Sequence, residues 1–146
     1  MNTEYERFEH NADGLDKIYD GKGPGPRWMG ANWPIGEDVY NKKGEKLGHI
    51  KEVMLDIVDG RVAYVVLSFG GFLGIADKLF AVPWNALTLK LETLDKRFIL
   101  DVEKDRLEDA PGFDKDDWPD MADEAWSRQV HSYYARKETG GKETRL

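Results

Sequence analysis

Between Asp38 and Val102 the chain carries six short apolar runs, and the segments between them are mostly turn-length. Parallel strands need crossovers of about a dozen residues or more, so this spacing argues against a βαβ fold. It predicts a mainly β protein: an antiparallel six-stranded sheet, closed into a small barrel or folded as a compact sandwich. Closure would also leave no exposed sheet edge.

The runs can be placed one by one. A first strand is expected near Asp38 to Asn41 and a second from Leu47 to Ile57, with "KKGE" and its Gly44 as the turn. Val53, Leu55 and Ile57 alternate with Met54 and Asp56, the period of a strand with one buried face. Asp59-Gly60 is a tight-hairpin signal, since Gly60 tolerates positive φ. "RVAYVVLSF" is apolar on both faces and is expected to be central. "KLFAV" follows, and Pro83, with no N–H to donate, ends it or marks an edge. "ALTLKLET" alternates cleanly, and "RFILDV" supplies the last strand.

The glycine-rich stretch "LSFGGFLGIADKLFAV" raises the question of a phosphate loop. Such loops need a helix behind the glycines, or a Lys-Ser or Lys-Thr pair. Here Ile75 follows Gly74, Leu79 follows Lys78, and the next element is a strand. Gly70, Gly71 and Gly74 are therefore read as turn glycines, like Gly44 and Gly60. Phe72, Leu73 and Ile75 are unusual at a loop tip. They are expected either to fold over a barrel end or to form an apolar contact patch.

Other candidate sites are weaker. "DKDDWPDMADEA" resembles a calcium loop, but the required glycine is Pro119 and the twelfth position is Ala125. Glu52, Asp56 and Asp59 lie along one strand and its turn with no nucleophile nearby, and His49 has no second ligand at metal spacing. No catalytic residue, metal site or cofactor is expected. The chain has no cysteine, so thiolate chemistry is excluded. A net charge of −7 over 146 residues argues against direct nucleic-acid or anionic-lipid binding. No stretch is long and apolar enough for a membrane span. The polar N-terminus lacks the pattern of a signal peptide, so the expected location is the cytoplasm. A C-terminal helix is expected from Pro119 or Asp120, with Asp120 as cap and Ala122, Trp126, Val130 and Tyr133 on one stripe.

Several of these residues together resemble the PRC-barrel domain. They are Ile35-Gly36 with Val39, Gly44-Glu45 with Leu47-Gly48 and Ile50, then Asp56 and Gly60, "YVVLSFGGFLG", "AVPW" and the closing "LEDAPGF". The resemblance implies a small antiparallel barrel of about six strands. It divides the chain into a polar N-terminal arm (1–28), the barrel (29–113), and an acidic linker, helix and polar tail (114–146). "WPDMADEAW" looks like an extension found in free-standing bacterial members. The family includes the cytoplasmic domain of the reaction-centre H subunit and the C-terminal domain of the ribosome-maturation factor RimM. It supplies no catalytic motif.

The expected role is that of a non-catalytic protein–protein interaction or assembly module, forming a homo-oligomer, with a dimer favoured. Phe72, Leu73, Ile75, Trp84 and Trp126 are the candidate contact residues, because large apolar anchors dominate such interfaces. The alternatives are a ribosome- or RNA-associated assembly factor and a photosynthetic-complex accessory protein.

Overall fold

Each tight turn carries its own chemistry, and the turns set the strand order. The computed structural model describes residues 21–24, 28–70, 78–92 and 95–135. The strands are β1 (Asp38–Tyr40), β2 (Lys46–Asp56), β3 (Arg61–Phe69), β4 (Lys78–Pro83), β5 (Leu87–Glu92) and β6 (Asp95–Leu100). Asn41 organises the β1–β2 turn. It is buried, its Oδ1 accepts from the amides of Lys43 and Glu45 at 3.0 Å each, and its Nδ2 donates to Glu45 Oε1 at 2.7 Å. Asp56 does the same for β2–β3: its Oδ1 accepts from the amides of Val58 (3.0 Å) and Asp59 (3.1 Å). Gly44 and Gly60 sit in these turns at φ 86° and 73°.

The six strands form one curled sheet in the order β4-β3-β2-β1-β6-β5. Two details correct the expectation of a closed antiparallel barrel. First, β1 and β6 pair in parallel, Val39 opposite Phe98 and Tyr40 opposite Ile99. Tight turns force sequential strands to run antiparallel, but β1 and β6 are not sequential, so no turn sets their relative direction. Second, the sheet is open. β4 and β5 are its two ends, and a one-turn 3-10 helix (Trp84–Ala86) joins them without a ladder. Phe113 covers part of the β4 edge instead. It exchanges two backbone hydrogen bonds with Leu79, at 2.8 and 3.0 Å. A short helix α1 (Lys104–Glu108) precedes this clasp.

The core lies along β3 and β4. Tyr64 to Phe69 and Leu79 to Pro83 are buried at every position. Helix α2 (Glu124–Tyr134) packs against β4. Its cap is Asp123, not Asp120. The Asp123 carboxylate accepts from the amides of Ala125 and Trp126, whereas Asp120 accepts from Ala122 in the turn before. The helix therefore starts later than the sequence suggests, and Ala122 is exposed outside it. Val130 and Tyr134 are the buried stripe. Tyr133 clasps α1: its hydroxyl donates to the Arg106 carbonyl, and the Arg106 guanidinium donates to the Tyr133 carbonyl at 3.1 Å.

Tyr134 has a buried hydroxyl with no hydrogen-bond partner among the described residues. Burial, with a smaller contribution from Tyr133, pushes its phenol well above the usual tyrosine range. Tyr134→Phe removes an unsatisfied polar atom and is expected to be neutral or to stabilise by about 1 kcal/mol. The phenol ionises more readily in the unfolded chain than in the folded one. Wild-type stability should therefore fall as pH rises past roughly 10, and the phenylalanine variant should lose less. Urea midpoints at neutral and high pH check both points. A loss above about 1 kcal/mol at neutral pH would show that the hydroxyl has a partner.

Candidate functional site

The β2–β3 turn is a four-residue loop, Ile57 to Gly60, rather than a two-residue one. Asp56 captures two successive amides, and this holds Ile57 and Val58 at the outside of the bend. They are 85% and 90% exposed, and Leu55 beside them is 56% exposed. This overturns the reading of Val53, Leu55 and Ile57 as one buried face. A register shift between Met54 and Leu55 breaks the alternation, so residues beyond it no longer keep the parity of those before it.

Beside this apolar tip lies a cleft of about 680 Å³. Its volume is in the range of small-ligand and peptide pockets. The segment before β1 supplies Trp28 and Met29, β2 supplies Val53 and Asp56, and β3 supplies Arg61 and Tyr64. The end of β4 and the 3-10 turn add Pro83 and Trp84, and α2 adds His131. The first of these walls is held by a run of turns. Gly36 N–H donates to the Ile50 carbonyl (2.7 Å), and Ile50 N–H returns a bond to Glu37 (2.9 Å). Trp33 packs on Phe98 with ring centres 5.9 Å apart, while Trp28 stands 74% exposed.

Tyr64 links the cleft to the helix. Its ring lies 5.3 Å from Trp126 and 5.5 Å from His131, and its hydroxyl lies 3.2 Å from Ser127 Oγ. His131 Nδ1 donates to the Ser127 carbonyl at 2.8 Å, because a carbonyl can only accept. At the hairpin tip, Asp59 and Arg61 face each other at 3.9 Å with both side chains more than half exposed.

The residues named from sequence fall in different places. Trp84 lines the cleft, whereas Trp126 is half-buried against Tyr64 as part of the helix dock. Gly70 directly follows β3, and Phe72, Leu73, Ile75, Gly71 and Gly74 lie outside the described residues. Asp56 is a turn cap, and within 114–123 Asp120 caps a turn, Asp123 caps the start of α2 and Asp116 pairs with Lys115. Among the described residues no group of His, Asp and Glu is arranged to hold a metal ion, and no helix is long and apolar enough to cross a membrane. Sequence reasoning missed Leu55, Ile57 and Val58, together with Trp28 and Met29. The available signal was two branched aliphatics set between two acids in a turn, "DIVDG".

The strand order, the turn at Gly60 and the Trp84 corner set the frame for comparison with known proteins. The PRC-barrel domain model matches residues 29–107, more than half of the chain. The chain belongs to the PRC-barrel domain family. No curated protein matches it. The PRC-barrel match contains the hairpin tip, Tyr64 and Trp84, whereas Trp28 and His131 lie outside it. The cleft is thus built from the family domain together with residues flanking it on either side.

Proposed function

We propose that this PRC-barrel protein is a non-catalytic protein–protein interaction or assembly module. The observation that carries this reading is the pair Ile57 and Val58, held almost fully exposed at a capped turn beside an apolar cleft. Burying a Val or Ile side chain contributes roughly 1.5–3 kcal/mol, so the tip is a strong driver of association. The turn is fixed by Asp56, so little ordering entropy opposes docking. The net charge of −7 favours a protein surface over a nucleic acid as the partner.

Site-specific photo-crosslinking in the native cell tests this reading. Val58→p-benzoylphenylalanine is expected to give discrete crosslinked protein bands on irradiation. The same group at exposed Glu108, on α1, serves as the control and is expected to give none. Equal, diffuse background at both positions would overturn the reading.

A further inference from the structure

We infer that the occupant of the cleft is a second copy of this chain, with two copies pairing about a two-fold axis so that each hairpin tip seats in the other's cleft. This rests on the reading of the tip and cleft as an interaction surface. The first support is the way the hairpin projects. β1 pairs with β2 only from Lys46 to His49, and β4 pairs with β3 only from Tyr64 to Phe69. Lys51–Met54 therefore lie at an open edge of a three-stranded part of the sheet, and only Leu55–Asp56 and Arg61–Ala63 extend past it as a short two-stranded ribbon. Isolated ribbons are marginal in water, and this one ends in apolar side chains that a partner would cover.

The second support is adjacency. Asp56 and Arg61 belong to the ribbon, Val53 lies at its base, and all three line the cleft. Knob and hole share a border, so one axis at that border brings both tips over both clefts. That reciprocity is what a two-fold interface requires.

The third support is charge. The chain is strongly acidic, and two acidic surfaces repel, but the tip carries both signs in Asp59 and Arg61. Across a two-fold axis Arg61 of one copy meets Asp59 of the other, and the reverse pair forms with it. The tip is thus self-complementary. The fourth support is area. Trp28, Met29, Leu55, Ile57 and Val58 together expose several hundred Å² of apolar surface, of the order that one side of a standard interface buries.

Analytical ultracentrifugation of the full chain tests the pairing. The wild type is expected to sediment as a dimer at micromolar concentration. The double variant Ile57→Asp, Val58→Asp is expected to be a monomer, with Kd raised at least about 100-fold and an unchanged circular dichroism spectrum. Asp59→Arg and Arg61→Asp proteins are each expected to dimerise about tenfold more weakly, and an equimolar mixture of the two is expected to recover the wild-type affinity. A dimer that ignores the double variant, or a mixture no better than its components, would overturn the seating of tips in clefts. A wild-type monomer whose Val58 probe crosslinks a different protein would overturn the second copy while leaving the interaction reading intact. A wild-type monomer with no crosslink would overturn both.

Discussion

Gly48→Ala is expected to destabilise the protein by more than about 3 kcal/mol, enough to leave much of it unfolded near body temperature. Two effects coincide at this position. The backbone φ is 152°, a conformation that residues with a Cβ rarely adopt. A Cβ would also fall far inside van der Waals contact with the Ser68 carbonyl oxygen, 3.1 Å from its carbon and 3.4 Å from Leu67 Cδ1. The obstacle is backbone of the last part of β3, paired on both sides, so it cannot move without breaking the β2–β3 ladder at His49 and Ser68 and the β3–β4 pair with Leu79. Gly60→Ala is the control. Its φ is 73°, but a Cβ there meets nothing within 4 Å, so only conformational strain of about 1 kcal/mol is expected. Urea unfolding of both variants gives the comparison. Equal losses would mean that the close approach to Ser68 has no energetic consequence.

That close approach shows which parts of the fold are legible in a sequence. The strands and the turns between the early ones were legible because those links carry local chemistry: Asn41 and Gly44 in one turn, Asp56 and Gly60 in the next, Pro83 at a strand end. What turns do not encode is which distant strands become neighbours. The parallel β1–β6 contact and the open β4–β5 gap depend on how the sheet curls, and no short stretch of residues specifies that. The helix boundary was ambiguous for a similar reason. Asp120 and Asp123 are both competent caps, and the choice between them follows from Trp126 docking on Tyr64.

The site was harder to read than the fold. Counting alternate residues along "VMLDI" places Ile57 inside, and the count is sound for a regular strand. A register shift at Met54/Leu55 invalidates it, and the amide capture by Asp56 then turns Ile57 and Val58 outward. Trp84 was identifiable as an aromatic at a strand end. Its neighbours in the cleft come from segments some 50 residues apart on either side, Trp28 and His131, and no motif joins them.

Phe80→Ala is expected to cost about 4 kcal/mol, a large part of the stability of a domain this size. Phe80 is the largest fully buried side chain among the described residues, paired with Leu67 across the β3–β4 ladder and 6.3 Å from the Phe69 ring. The chain after α1 also leans on it: a Cβ at Gly112 would sit 3.1 Å from Phe80 Cε1 and 2.9 Å from the Leu79 carbonyl oxygen. Removing the ring therefore opens a cavity and takes away the surface against which Gly112 and Phe113 close over the β4 edge. The melting temperature should fall by on the order of 15 °C. Phe80→Leu keeps most of the volume and should lose roughly 1.5 kcal/mol or less. Hydrogen exchange separates the two consequences. If the ring supports the clasp, the amides of Leu79 and Phe113 will exchange faster in Phe80→Ala by more than the global loss of stability accounts for. If they speed up only in step with the amides of Val65 and Val82, the clasp is held by its own two hydrogen bonds and the ring serves the core alone.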